Sequence, residues 1–147
     1  MCIRDRGIRY YTPPAVITSL DWSSKLLYDI PDLSSLILLQ TLDLRLNSLT
    51  TVTIPDTLTA LATLNLEANS LTTVTIPNTL TALTNLFLGS NALTLASVDA
   101  VLLNLDTAGA LNGTVDLSGG TNDSPTGGAT NANKLSLEGK GWTVTIN

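Results

Sequence analysis

The sequence predicts an α/β fold built on a parallel sheet of short strands, and three observations predict it. The stretch Leu49 to Leu61, LTTVTIPDTLTAL, returns at Leu71 to Leu83 as LTTVTIPNTLTAL, with one change in thirteen residues and a period of 22. Around it the pattern LxxLxLxxNxL occurs three times in register, as LQTLDLRLNSL from Leu39, LATLNLEANSL from Leu61 and LTNLFLGSNAL from Leu83. One such copy has too few apolar residues to close a core alone, so neighbouring copies must stack and share one.

The first element is a degraded copy, ITSLDWSSKLL from Ile17, with Trp22 at the third leucine position and Lys25 at the asparagine position. Within LxL the two leucines leave a strand on the same face, and the residue between them points the other way. Leu42 with Leu44, Leu64 with Leu66 and Leu86 with Leu88 are therefore expected core pairs, on strands about 4.8 Å apart. Asn47, Asn69 and Asn91 follow those strands, where backbone amides lose their ladder partners. A carboxamide offers two donors and an acceptor oxygen, so a structural asparagine ladder is expected there. Lys25 in the same column can only donate and marks a frayed first repeat. The return segment TVTIP-x-TL places Val52 and Ile54, then Val74 and Ile76, inward. Pro55 and Pro77 end the extended piece because proline cannot donate to a ladder. The outer wall of the middle repeats is thus expected to be extended or irregular.

Beyond Asn91 the register lengthens. Pairing Leu86 with Val115 spans 29 residues, pairing Val115 with Trp142 spans 27, and the added length fits short helices. Ser97 is expected as an N-cap with Asp99 in the first turn. Val98, Val101, Leu102 and Leu105 share one helical face, and Gly109 lies beyond the end. A second helix is expected from Asn131 to Glu138, closed by Gly139 and Gly141. Strands are expected at Thr114–Ser118 and Trp142–Ile146, with the turn-rich loop LSGGTNDSPTGGAT between the helices. Trp142 is expected to cover the apolar end. The repeats then occupy 17–106, and a longer C-terminal repeat and cap occupies 107–147.

The recurring LxxLxLxxN motif resembles that of leucine-rich repeat proteins, closely over Leu39 to Leu93 and more weakly over most of the chain. The resemblance implies a horseshoe-shaped α/β solenoid with the parallel sheet on its concave face, extended convex segments in the middle and short helices toward the C-terminus. It also implies a non-enzymatic binding surface on that concave face. Its rows are Ser19, Asp21, Ser23; Thr41, Asp43, Arg45; Thr63, Asn65, Glu67; and Asn85, Phe87, Gly89. Phe87 is the candidate anchor, since an exposed aromatic on a rigid sheet suits a binding hot spot. Arg45 and Glu67 are expected to form a weak ion pair across neighbouring strands.

Composition narrows the chemistry. The chain has no histidine, seven Lys and Arg against twelve Asp and Glu, and a net charge of −5. Scattered bases make no nucleic-acid footprint, and no apolar run approaches the roughly 20 residues of a membrane helix. No nucleophile-base signature is present, and no His/Cys zinc set exists. Neither enzyme activity, a cofactor nor a metal is expected. Asp116, Asp123 and SGGTND lack the spacing and terminal glutamate of a calcium loop. The sequons Asn112-Gly-Thr and Asn122-Asp-Ser are read as accidental in so Thr/Ser-rich a chain.

The expected function is a protein- or glycan-recognition module within a larger secreted, cell-surface or virion protein, monomeric in itself. A structural spacer is the alternative, because nearly identical low-charge repeats are little diversified for a partner. A remote alternative is an ice- or crystal-binding face, from the outward threonines of Thr51-Val-Thr53 and Thr73-Val-Thr75. The opening MCIRDR shares none of the periodicity and matches, codon for codon, the translation of a transposon-end sequencing adapter. Residues 1–6 are therefore expected to be a non-native scar on a fragment from metagenomic sequence, with 7–16 a truncated N-terminal segment. Without Arg4, Asp5 and Arg6 the chain would carry five basic and eleven acidic residues, a net of −6, and without Cys2 no cysteine.

Overall fold

The computed structural model describes residues 16–147; the expectations for 1–6 and 7–15 lie outside the described residues. The fold is α/β, with mostly parallel strands and few helices. In order come β1 (Ser19–Asp21), β2 (Thr41–Asp43), β3 (Thr51–Thr53), β4 (Thr63–Asn65), β5 (Thr73–Thr75), β6 (Asn85–Phe87), α1 (Leu95–Ala108), β7 (Thr114–Asp116), α2 (Ala132–Gly139) and β8 (Thr143–Thr145). Two parallel sheets result: a six-stranded one ordered β1-β2-β4-β6-β7-β8 and a two-stranded one made of β3 and β5.

The period of 22 sets the register. Leu42 lies opposite Leu64, and Leu64 opposite Leu86, so the leucine columns align. These residues, with Leu39, Leu44, Leu61, Leu66 and Leu88, are fully buried. Each such leucine contributes about 1.5–3 kcal/mol relative to an exposed position. The β3–β5 sheet closes the far side of the same core with Val52, Ile54, Val74 and Ile76, all buried, as alternation along an extended wall requires.

The C-terminal part departs from expectation in three places. Val115 pairs with Val144 rather than Trp142, so the second long step, like the first, spans 29 residues. Trp142 sits two residues earlier, buried, with its Nε1 donating to the Ala110 carbonyl at 2.9 Å. Its ring fills the space beside Gly113, where a Cβ would lie 2.6 Å from it. The indole thus packs under the loop before β7.

Second, the N-cap of α1 is Thr94, whose hydroxyl accepts from the Ser97 amide. Ser97 is instead buried on the helix, and its Oγ accepts from the Val74 amide at 3.0 Å. Third, with the helix starting earlier, Asp99 lies past the first turn, where its carboxylate accepts from the Thr126 amide and hydroxyl. Val98, Val101, Leu102 and Leu105 are buried as one face, and Gly109 ends the helix at φ 76, a left-handed conformation that glycine adopts without a Cβ clash. Helix α2 is capped by Asn131, whose Oδ1 accepts from the Asn133 and Lys134 amides. It is tied to α1 by Lys140 Nζ, 2.7 Å from Asp106.

Candidate functional site

The candidate surface is the side of the six-stranded sheet turned away from the core. Strand register places Asp21, Asp43, Asn65, Phe87, Asp116 and Thr145 in one column. Ser19, Thr41, Thr63, Asn85, Thr114 and Thr143 form the column beside it. The sequence-derived residues on the strands, Thr41, Asp43, Thr63, Asn65, Asn85 and Phe87, are half-buried there, and Asp21 is exposed. Arg45 and Glu67 follow their strands and are exposed. Asp116, Thr114, Thr143 and Thr145 extend the columns beyond the residues picked from sequence: the Leu86–Val115 pairing already aligns Thr114 and Asp116, whereas the expected Val115–Trp142 pairing is two residues out of step for Thr143 and Thr145.

The acidic and amide side chains of the first column share a local geometry. Asp21 Oδ1 accepts from the Ser23 amide at 2.9 Å and its hydroxyl at 2.7 Å. Asp43 accepts from the Arg45 amide at 3.1 Å, Asn65 from the Glu67 amide at 3.0 Å, and Asp116 from the Ser118 amide at 2.9 Å. Each side chain satisfies the amide two residues on, where the chain leaves its strand, as Asx turns do. The Ser23 hydroxyl and amide hold the Asp21 carboxyl below its ordinary value. Phe87 alone among the strand-borne members from β1 to β7 lacks such an acceptor. Two residues on stands buried Gly89, where a Cβ would lie 2.9 Å from the Ser118 carbonyl oxygen.

The expected Arg45–Glu67 pair is replaced by a contact within one repeat: Arg45 Nε lies 3.3 Å from Asp43 Oδ2. Asp43 is two residues before Arg45 on the same side of the chain, so the short-range partner is reached without ordering a second exposed side chain.

No protein-family model, curated protein or solved structure matches the chain. What the chain offers is therefore read from its own geometry.

The asparagines lie behind the strand ends, pointing inward. Asn91, 3% exposed, donates from Nδ2 to the carbonyls of Leu66 and Leu88 and accepts at Oδ1 from the Leu71 amide, each at 3.0 Å. Asn69 makes the corresponding bonds to Leu44, Leu66 and Leu49. Asn47 donates to the Trp22 and Leu44 carbonyls and accepts from the amides of Lys25 and Leu27. A fourth member is Asn122, buried, which donates to Leu88 and Leu117 and accepts from the Leu93 amide at 2.8 Å. In sequence Asn122 falls within the turn-rich loop LSGGTNDSPTGGAT, outside the repeat spacing. Its side chain is committed to backbone, which removes the second sequon from an accessible surface.

Among the described residues no group of three or more His, Cys, Asp or Glu is placed to hold a metal ion. No helix there is long and apolar enough to cross a membrane. On the opposite wall Thr51, Thr53, Thr73 and Thr75 are exposed in register, and α1 takes the place of a third such strand.

Proposed function

We propose that the chain is a leucine-rich repeat solenoid and a non-enzymatic recognition module of a larger secreted, cell-surface or virion protein. In this reading the sheet columns carrying Asp43, Asn65 and Phe87 are the concave face that meets a protein or glycan. One observation carries it: Phe87 stands on the outer side of the sheet between Asn65 and Asp116 in strict register. An aromatic there, on a backbone tied by buried carboxamides, presents apolar area at little entropic cost.

A structural spacer is the second reading, favoured by the Asx geometry. Asp21, Asp43, Asn65 and Asp116 already spend hydrogen-bonding capacity on their own chain.

Labelled wild type and the double variant Phe87→Ala/Asp43→Asn, probed on arrays of ectodomains and cell-surface glycans, separate the two. Asparagine keeps an oxygen for the Arg45 amide, so the variant alters the surface with little effect on the turn. Recognition predicts ligands that the variant loses by about tenfold or more. Equal binding by both proteins places any site elsewhere, and no ligand for either favours the spacer.

A further inference from the structure

The two edges of the β3–β5 sheet are treated differently. Parallel strands alternate their backbone groups between neighbours, and the Ile54 amide donates to the Thr75 carbonyl at 3.0 Å. The even-numbered residues of β3 therefore face β5, and the groups of Thr51 and Thr53 face away from it. On β5 the groups on the far side from β3 include the Val74 amide and the Thr72 and Ile76 carbonyls, and these three are met by protein. The Val74 amide donates to Ser97 Oγ, Asn104 Nδ2 donates to the Ile76 carbonyl at 2.9 Å, and the Thr94 amide donates to the Thr72 carbonyl at 3.1 Å. Helix α1 thus covers that edge and engages it with two side chains, Ser97 and Asn104.

Nothing equivalent closes the other edge. Among the described residues no hydrogen bond joins the backbone of Thr51 or Thr53 to the preceding repeat. Instead an open groove of about 370 Å³ separates β3 from the segment that should have supplied a third strand. Its walls include Val52 and Pro55 on one side and Asp29, Ile30, Asp32 and Leu33 on the other. Pro31 lies in that segment and has no amide to offer. A strand edge of this kind is a template for another strand.

We propose that this edge is a docking site for an extended peptide carrying Lys or Arg, which adds to β3 as a third strand of the small sheet. The backbone groups of Thr51 and Thr53 supply the ladder, which any extended peptide can use. Charge selects among peptides. Asp29 and Asp32 line the groove with no basic residue among its walls. Their carboxylates accept from the amides of Ile30 and Ser34, each at 2.8 Å. The Ser34 amide and hydroxyl hold Asp32 below its ordinary carboxyl value, so its charge is present at neutral pH. Of the four basic residues among 16–147, Arg45, Lys134 and Lys140 are engaged with acidic partners elsewhere. Alternate side chains of the docked strand meet apolar Val52 and Leu33 or point outward among the threonines.

The test pans a random heptapeptide library displayed on phage against the full chain, then titrates the enriched sequences, as synthetic peptides, into ¹⁵N-labelled protein. The proposal expects peptides with net positive charge that shift the amide signals of Thr51 and Thr53 and slow their hydrogen exchange. N-methylation at alternate peptide positions should abolish the effect. Thr53→Pro should abolish it too, but proline can also damage the fold. The double variant Asp29→Asn/Asp32→Asn carries the test independently, because asparagine keeps both turn hydrogen bonds. It should weaken binding about three- to tenfold at low salt. The proposal is overturned if no peptide is enriched, if the shifts fall on β2, β4 and β6 instead, or if that double variant binds as well as wild type.

Discussion

Replacing Asn91 with alanine should cost far more than the same change at Asn47, although both occupy the same position in the sequence motif. Asn91 is 3% exposed, and its carboxamide serves the Leu66, Leu88 and Gly89 carbonyls and the Leu71 amide at 3.0–3.2 Å. Alanine leaves the Leu71 amide without its acceptor beside a side chain with no solvent exposure. One orphaned buried group costs about 1–3 kcal/mol. With the deprived carbonyls added, the expected loss is about 2–4 kcal/mol. Asn47 is half-buried, and its amide partners Lys25 and Leu27 are exposed or half-buried. Water can replace its side chain there, so the expected loss is about 1 kcal/mol. Urea unfolding with an unchanged m-value measures both. Equal losses at the two sites, or an Asn91→Ala loss within about 0.5 kcal/mol of zero, would refute the reasoning. Asn122→Ala should behave like Asn91→Ala, since it is 5% exposed and holds the Leu93 amide.

Other consequences follow from single sites. Gly120→Ala places a Cβ 2.3 Å from the Asn91 carbonyl oxygen at φ 63, and should lower stability by more than about 3 kcal/mol or prevent folding. Gly128→Ala, at φ 56 with nothing within 4 Å, should cost only about 1 kcal/mol, and thermal melts of the pair check the contrast. Leu64→Ala empties a site with no solvent exposure and should cost about 2–5 kcal/mol by urea unfolding. Glu67→Gln should change stability by less than about 0.5 kcal/mol, because Arg45 is paired with Asp43 instead. Burial alone would raise the Asp106 carboxyl, but hydrogen bonds from Lys140 and Ser136 and the Lys140 charge outweigh it, leaving it below the ordinary 3.8. Its contribution is therefore present above the unfolded value and lost as pH falls through the folded one. Asp106→Asn should flatten that part of the acid limb of a stability–pH profile, and high salt should shrink the difference.

The strands, their register through Leu86 and the inward residues of the outer wall are legible because a period of 22 repeats without interruption up to Asn91. Alternation then fixes which side each residue takes. The asparagine column ceased to be legible at Asn122 for a physical reason. Asn91 reaches back three residues to the Leu88 carbonyl, whereas Asn122 reaches back five to Leu117. The two extra positions are taken up by Gly119 and Gly120 at φ 75 and 63, residues that bend the chain without moving the carboxamide from its column. A pattern that counts residues misses an insertion that preserves space.

The cap of α1 is not fixed by local sequence, for another reason. Both Thr94 and Ser97 suit an N-cap, and only the neighbouring strand decides, by claiming the Ser97 hydroxyl for the Val74 amide. On the sheet surface, sequence showed which residues share a side but not what their side chains are doing. The two-residue reach from Asp or Asn to the next backbone amide was a readable signal, present at Asp21, Asp43, Asn65 and Asp116 and broken at Phe87. It separates the groups that shape the turn from Phe87, which makes no such bond and which the recognition proposal takes as the anchor.

That separation is tested most directly by replacing Phe87 with a photo-crosslinking phenylalanine analogue and irradiating the protein with a ligand selected on the arrays. The same analogue at Thr107, exposed on α1, is the control. The recognition reading predicts a covalent adduct from position 87 and none from position 107. A ligand that binds while position 87 yields no more adduct than position 107 would contradict it.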